Sequence, residues 1–246
     1  SKWGDNWNIK NKYKSEIMKN KTILILGVSS SIGIQLLKKL IDKNYHIIGQ
    51  FQNKNKELIQ LKTIYKDNLI LIKSDFSNSL DCSNLLKYLD GNINELDAYV
   101  HLISPKINMK PIARTTWNEI SDNLDIQLKS LFLTLQVCIK KLSKVRNSRV
   151  IVLNSEVVKQ KPIPKGFTAY SIAKSAINQY LECLVSETQN LDININQISP
   201  TMFESPLLEN IPKYVIESSK KLSDINPLDD IIPKILFLLS DEGSNI

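Results

Sequence analysis

The chain contains 246 residues, of which 42% are hydrophobic and 23% charged, and 32 basic against 25 acidic side chains give a net charge of +7. These values are close to those of ordinary globular domains and exclude a disordered chain, a collagen-like chain and a coiled coil. No apolar run reaches the roughly 18 residues of a membrane-spanning helix, and the lysines are dispersed without a basic block, so we expect neither a membrane nor nucleic acid as a partner.

Residues 1–20 are polar and rich in Lys and Asn, and they lack the apolar segment of a secretory signal. We expect them to form a flexible N-terminal lead ahead of a single domain at residues 21–246. Because the chain does not begin with Met, we expect it to be processed or to be a piece of a longer polypeptide.

Six short runs rich in β-branched residues are predicted to form strands: Thr22–Leu26, His46–Phe51, Leu69–Lys73, Ala98–Ile103, Arg149–Ser155 and Ile193–Ser199. The runs are almost continuously apolar, which is typical of strands buried on both faces. Apolar residues at helical spacing separate them. Repeated strand–helix units predict an α/β fold, a Rossmann-like doubly wound parallel sheet with helices on both faces and a ligand crevice beyond the carboxyl ends of the strands.

The first strand runs into the glycine-containing turn Gly27–Gly33, which opens a helix. Backbone N–H groups and the helix dipole converge at such a helix N-terminus and favour an anion. Gly27 permits a tight turn, and Gly33 permits close packing of helix against strand. The motif predicts a dinucleotide site, and a simple strand–helix corner is the alternative.

Tyr170 and Lys174 are four residues apart on a helical run, so both project from one face. A tyrosine with the usual pKa near 10 is a poor acid–base catalyst at neutral pH, and a neighbouring ammonium is expected to lower that pKa. Ser155 stands at the end of the predicted fifth strand, upstream of this pair. The alternative is an ordinary surface pair on an amphipathic helix.

Together these motifs resemble the classical short-chain dehydrogenase/reductase family over nearly the whole body of the chain. The family's TGxxxGIG turn reads LGVSSSIG here, with Leu26 and Ser31 as departures, while Ser155 and the YxxxK motif are retained. The resemblance implies hydride transfer between a nicotinamide cofactor and a carbonyl carbon. Tyr170 would supply the proton, and Ser155 would hold the carbonyl oxygen beside it. Because Ser31 replaces a glycine at the pyrophosphate, we expect weakened cofactor binding.

The resemblance also assigns further site residues. Gln127 stands where the family has a proton-relay Asn and is the fourth catalytic candidate, and Lys174 would also contact the nicotinamide ribose. The remaining cofactor-binding candidates lie in the first turn or after later strands: Gly27, Ser29, Ser30, Ser31, Ile32, Gly33, Asp75, Phe76, Leu102, Pro200 and Ser205.

The end of the second strand bears on the type of cofactor. NAD-specific sites place a carboxylate there for the ribose 2′-OH, but this chain has Gln52 and Asn53. A 2′-phosphate would meet amide donors and Lys54 or Lys56, so NADP(H) is favoured over NAD(H). The alternative is that these residues form only a polar loop.

The segment Val100–Ser104 occupies the place of the family's VNNAG motif but lacks its asparagines and glycine. We expect His101 to pack or to bond to the backbone rather than to act as a general base, and Cys138 and Cys183 to lie in the core. Three scattered cysteines exclude a disulfide framework or a zinc site, so we expect a cytoplasmic protein without a metal. The departures leave one rival function, a dinucleotide-binding scaffold or redox sensor without turnover, against which the retained Ser155, Tyr170 and Lys174 argue.

Too few residues follow Tyr170 for a sugar-nucleotide domain, so residues 201–226 are predicted to form a short substrate lid. The excess of basic over acidic side chains, with Lys106 and Lys110 near the strand-four loop, favours an anionic substrate. The candidates are a phosphorylated sugar or polyol and a carrier-bound acyl group. We expect a homodimer formed through the long helices Asp122–Ser143 and Ala169–Glu187. A tetramer is doubtful because the chain ends at Ile246 without the family's seventh strand.

Overall fold

The computed structural model describes residues 21–40, 43, 45–53, 55–201, 206–220 and 227–245. The predicted N-terminal lead, Lys54, Ser205 and part of the predicted lid lie outside the described residues. Among those described, no helix is both long enough and apolar enough to cross a lipid bilayer.

Six parallel strands form one sheet in the order β3-β2-β1-β4-β5-β6. They are β1 Thr22–Leu26, β2 His46–Phe51, β3 Leu69–Lys73, β4 Ala98–His101, β5 Ser148–Leu153 and β6 Ile193–Ile198. The order reverses between β1 and β4, where Leu26 is in register with His101. The predicted doubly wound sheet is confirmed, and its switch point opens a crevice at the carboxyl edge of the strands.

Helices cover both faces of the sheet: α1 Ser31–Leu40, α2 Lys56–Tyr65, α3 Ser79–Asn92, α4 Trp117–Leu124, α5 Ser130–Leu142, α6 Thr168–Thr188, α7 Lys213–Lys220 and α8 Pro227–Leu239. Their starts follow local chemistry. Asn55 and Asn78 accept hydrogen bonds from first-turn amides of α2 and α3, and Thr116 forms a capping box with Glu119 at α4.

The core consists of two layers, one on each side of the sheet. Ile23 and Ile25 pack with α1, α2 and α8, whereas Leu24 and Leu26 pack with α3, α5 and α6. Neighbouring residues of β1 therefore face opposite layers, and all four side chains are at most 1% exposed. This double burial explains the continuous apolar run of the strand.

Several predicted boundaries were wrong by one or two residues. β4, β5 and β6 end at His101, Leu153 and Ile198, because the chain turns over the edge of the sheet at these points. The predicted helix Asp122–Ser143 is interrupted by a π-helical segment at Asp125–Lys129.

The two helical cysteines differ in their burial. Cys138 is buried as expected, but Cys183 is exposed. The buried stripe of α6 runs through Ala173, Ile177 and Leu181 at helical spacing, and Cys183 lies off that stripe.

Candidate active site

A cavity of about 260 Å³ opens at the carboxyl edge of the sheet. It lies between the start of α1, the loop after β4, the end of β5 and the first turns of α6. The structure brings nine of the predicted site residues together in its wall: Ser29, Ser30, Ser31, Ile32, Leu102, Ser155, Tyr170, Lys174 and Pro200.

The turn between β1 and α1 requires glycine at both ends. Gly27 has a φ of +80°, a conformation that other residues adopt only with strain. A Cβ atom on Gly33 would lie 2.5 Å from the Val28 carbonyl oxygen, so the helix could not approach the turn this closely. Ser30 Oγ accepts a hydrogen bond from the Gly33 amide at 3.1 Å and caps α1.

Gln50, which sequence reasoning missed, holds this turn from β2. Its side chain is 2% exposed, and its Oε1 accepts a hydrogen bond from the Gly27 amide at 3.0 Å. Its Nε2 donates to the Ser74 carbonyl at 2.6 Å. In the sequence it appears only as a polar residue within an otherwise apolar strand, without its partners.

Four of the predicted cofactor-binding residues lie outside the described wall of the cavity, just after the ends of β2 and β3. They are Gln52, Asn53, Asp75 and Phe76. Gln52 Nε2 donates to Asp75 Oδ2 at 2.8 Å, and Ser77 donates twice to the other carboxylate oxygen. Partial burial raises the pKa of Asp75, but the hydrogen bonds from Ser77 and Gln52 outweigh it and hold that pKa below its usual value. The Phe76 side chain packs in the core, so only its backbone could meet a cofactor.

Ser155, Tyr170 and Lys174 lie together in the wall of the cavity. Ser155 follows β5, and its Oγ accepts a hydrogen bond from the Val157 amide at 3.3 Å. Lys174 is 1% exposed; its Nζ lies 5.6 Å from the centre of the Tyr170 ring and donates to the Leu153 carbonyl at 3.3 Å.

The model of the short chain dehydrogenase family matches residues 21–215. The chain belongs to this family. The 3-oxoacyl-(acyl-carrier-protein) reductase FabG of Rickettsia felis is 27% identical over 231 residues, which cover 92% of each chain. The acetoacetyl-CoA reductase of an Acinetobacter species is 20% identical, covering 92% of this chain and 93% of its own length. A short-chain dehydrogenase/reductase structure from Serratia marcescens has a TM-score of 0.79 at 15% identity and covers 93% of this chain and 94% of its own.

In this short-chain dehydrogenase, the pKa of Tyr170 lies above its usual value and not below it as expected. Burial raises the pKa of Tyr170, although the neighbouring Ser155 and Ser104 hydroxyls oppose that rise. Burial also lowers the pKa of Lys174 to about 7. Because both groups are removed from water, each is shifted toward its neutral form, and the ammonium lies over the ring face.

Gln127 lies within the π-helical segment and is fully buried. Its Nε2 donates to Asn123 Oδ1 at 3.2 Å, and its main-chain carbonyl accepts a hydrogen bond from Ser130 Oγ at 3.0 Å. It is not in the described wall of the cavity, so the structure does not bring its side chain together with the other three catalytic candidates.

Two further polar residues at the site were missed from the sequence. Asn154 is 3% exposed, and its Nδ2 donates to the Lys174 carbonyl at 3.2 Å and to Gln197 Oε1 at 3.0 Å, which ties β5 to α6 and β6. Ser104 lines the cavity, and its hydroxyl faces the Tyr170 phenol. Both lie just beyond the ends of strands. Asn154 was predicted as a strand residue, and Ser104 was noted only as a departure from a family motif.

The described part of the predicted lid borders the same cavity through Thr201, Pro206, Leu207 and Leu208. The Ile107 amide donates to the Leu207 carbonyl at 2.9 Å, which joins this segment to the loop after β4. Lys106 pairs with Glu209, and Lys110 pairs with Glu119 at 2.5 Å. Each lysine expected to attract an anionic substrate therefore has a carboxylate partner within the protein.

The residues present fit a nicotinamide dinucleotide. The start of α1, with Ser29, Ser30, Ser31 and Ile32, lines the same cavity as Tyr170 and Lys174, and a helix N-terminus favours an anionic pyrophosphate. Ser104 Oγ is buried without a hydrogen-bond partner of good geometry among the described residues, so a polar group in the cavity would satisfy it.

Proposed function

We propose that this chain is an NAD(P)(H)-dependent carbonyl reductase in which Ser155, Tyr170 and Lys174 form the catalytic site. One observation carries the proposal: these three side chains share a cavity with the N-terminus of α1, which is suited to a pyrophosphate. When bound, a nicotinamide dinucleotide supplies hydride to, or takes it from, the substrate carbon. The protein contributes orientation and electrostatics.

Ser155 and Tyr170 act on the substrate oxygen. As hydride adds to the carbonyl carbon, the π-electron pair moves to oxygen, and the Tyr170 phenol gives that oxygen its proton. The raised pKa of Tyr170 keeps the phenol protonated near neutral pH, ready for reduction. The resulting phenolate is stabilised by the Lys174 ammonium above the ring, and Ser155 Oγ holds the substrate oxygen beside the phenol.

We propose a 3-oxoacyl thioester, carrier-bound in the cell, as the substrate, in preference to a phosphorylated sugar or polyol. Two relatives are named for reduction of 3-oxoacyl groups, on an acyl carrier protein or on coenzyme A. Apolar side chains dominate the cavity beside the Tyr170 phenol and suit an acyl chain: Leu102, Ile107, Val157, Phe167, Leu207 and Leu208. Lys106 and Lys110 pair with carboxylates and therefore do not favour one of the two substrate classes over the other.

We propose NADP(H) as the preferred cofactor, since β2 ends without a carboxylate of its own at Gln52 and Asn53. We also propose a homodimer, which is supported by exposed apolar residues on α5 and α6, namely Phe132, Ile172 and Val185. Light scattering during gel filtration would give the mass of a dimer or of a monomer. The cytoplasmic location stays a prediction.

The test of function is oxidation of NADPH by acetoacetyl-CoA, a small 3-oxoacyl thioester, with cofactor binding measured separately by fluorescence. Tyr170→Phe should lower kcat by about 100-fold or more while retaining cofactor binding, because the proton donor is lost. Tyr180→Phe, on the same helix but outside the cavity wall, is the matched control and should keep normal activity. Normal turnover by Tyr170→Phe would refute the mechanism. Cofactor binding without turnover of this or any other carbonyl compound would favour the scaffold.

A further inference from the structure

The segment at residues 156–166, between β5 and α6, borders the active-site cavity and carries charge that the proposed mechanism does not use. Its cavity-lining residues are Glu156, Val157, Gln160 and Pro164. Three lysines stand beside these lining residues in the chain, and all three are exposed: Lys159, Lys161 and Lys165. The segment therefore forms part of the rim where the cavity meets solvent. We call the three side chains the lysine lip.

The lysine lip has no acidic partner. Within the part of the chain that the structure describes, none of its three ammonium groups forms an ion pair, whereas Lys106 and Lys110 pair with Glu209 and Glu119. Glu156 is the only acidic residue of the segment, so basic side chains outnumber acidic ones three to one. Like charges that are held close repel one another, and an anion from outside the protein would relieve that repulsion.

Both ends of the segment are held by neighbouring parts of the site. At its start, the Glu156 amide donates a hydrogen bond to the Pro200 carbonyl at 3.0 Å, just beyond the end of β6. At its end, the Lys110 amide donates to the Gly166 carbonyl at 3.0 Å, which ties the segment to the loop after β4. Because these contacts fix the ends of the segment, little backbone has to be ordered when a ligand binds to the lip.

The position of the lysine lip fits one part of a carrier-bound acyl thioester. A phosphopantetheine arm holds the thioester at one end and a phosphate at the other, and the same arm occurs in coenzyme A and on an acyl carrier protein. When the acyl carbonyl lies beside the Tyr170 phenol, the arm has to leave the cavity across its rim. Its phosphate then meets exposed side chains, and a lysine ammonium binds phosphate well as a point charge.

We propose that Lys159, Lys161 and Lys165 form an anion subsite for the phosphate of a phosphopantetheine arm. The proposal rests on the proposed function in taking a carrier-bound thioester as the substrate, and it adds the residues that recognise the carrier. The phosphate does not change during hydride transfer, so its binding energy is the same in the ground state and in the transition state. The subsite should therefore lower KM and leave kcat unchanged.

The first test compares acetoacetyl-pantetheine, which has no phosphate, with acetoacetyl-phosphopantetheine and acetoacetyl-CoA as oxidants of NADPH. In the lip variant Lys159→Gln/Lys161→Gln/Lys165→Gln, KM for the two phosphorylated substrates should rise by about tenfold, the combined range of several exposed charge interactions. The rise should shrink at high salt, and KM for acetoacetyl-pantetheine should stay the same. An equal change of KM for all three substrates, or no change for any, would overturn the proposal.

The matched control is Lys87→Gln/Lys140→Gln/Lys144→Gln, which removes the same total charge. These three lysines are exposed, and they lie on α3, in the last turn of α5 and just after that helix. None of them lines the cavity, and α5 leads into the start of β5, at the opposite edge of the sheet from the lip. The control should keep every KM of the parent. A control that matched the lip variant would assign the effect to net charge and overturn the subsite.

Calorimetry measures the subsite without turnover. Phosphopantetheine should bind to the full chain about tenfold more tightly than pantetheine, and the lip variant should lose this preference. Phosphate-dependent binding without turnover of any thioester would refute the proposed function and support the subsite. Turnover by the lip variant with the KM of the parent would refute the subsite and leave the proposed function intact. Absence of any phosphate-dependent binding to the parent would also overturn the subsite.

A last comparison identifies the source of the phosphate. The acetoacetyl thioester of an acyl carrier protein and acetoacetyl-CoA both carry the arm, so both should lose affinity in the lip variant. The substrate with the lower KM in the parent is the natural source. If neither substrate lost affinity in the lip variant, the phosphate would not be bound by the lysine lip.

Discussion

The two ends of the site use charge in opposite ways. At the catalytic end, Lys174 is 1% exposed, and burial shifts both its pKa and that of Tyr170 toward the neutral forms. At the β2–β3 end, Asp75 stays ionised because Gln52 and Ser77 donate hydrogen bonds to it at the surface.

At the catalytic end, removal from water outweighs the nearby opposite charge and sets the direction of both pKa shifts. A neighbouring ammonium favours a phenolate only where solvation or hydrogen bonds also support the charge. The catalytic end is therefore sensitive to substitutions that change burial, whereas the exposed end is sensitive to charge and to salt.

The largest expected effect comes from removing the buried charge with Lys174→Met. Turnover should fall by about 100-fold or more, since the positive charge that stabilises the Tyr170 phenolate is then lost. Stability should change in the opposite direction, because the folded protein holds this lysine at a pKa of about 7 against 10.5 when exposed. Each unit of that difference corresponds to roughly 1.4 kcal/mol.

The pH dependence of unfolding gives the sign of the contribution that Lys174 makes to stability. Between about pH 7 and 10.5 the unfolded chain binds the lysine proton that the folded protein lacks, so the stability of the parent protein rises with pH across this window. Urea unfolding at several pH values should show a smaller rise for Lys174→Met. Parallel curves for the two proteins would contradict the buried, shifted lysine.

A smaller effect is expected at the turn that joins the two ends. Gly33→Ala places a methyl group 2.5 Å from the Val28 carbonyl oxygen and should destabilise the fold by about 1–3 kcal/mol, with loss of cofactor binding. Gly91→Ala is the matched control, because a Cβ there meets nothing within 4 Å. It lies in α3 and should raise stability by up to about 1 kcal/mol. Equal unfolding midpoints for the two variants would exclude the tight turn.

The sheet was predictable from the sequence because a strand buried on both faces is apolar at nearly every position. Leu24 and Ile25 point to opposite layers yet are both apolar, so β1 appears as a continuous run. The relation between Tyr170 and Lys174 was predictable for a similar local reason, since a spacing of four on a helix fixes a common face.

The remaining features depend on contacts between distant segments. The raised pKa of Tyr170 arises from desolvation by the whole cavity wall, which no local pattern encodes. In the sequence, Gln50 is only a polar residue within β2. Its role depends on the Gly27 amide and the Ser74 carbonyl, which come from distant segments and bind its side chain. The orientation of His101 likewise depends on Ser130, which is distant in sequence and reaches it only through packing of α5 on β4.

The smallest expected effect tests the exposed end. Asp75 holds an ionised carboxylate 2.8 Å from Gln52 Nε2, near the place proposed for a 2′-phosphate. Asp75→Asn should therefore improve binding of NADPH relative to NADH by up to about fivefold, the range of an exposed charge interaction, and the gain should shrink at high salt. Asp67→Asn removes the same charge from the turn before β3, at the opposite end of that strand, and should leave the ratio unchanged.

The measurement is fluorescence titration of each variant with both cofactors. An equal shift in both variants would assign the effect to net charge, whereas no shift in either would place the 2′-phosphate away from Asp75.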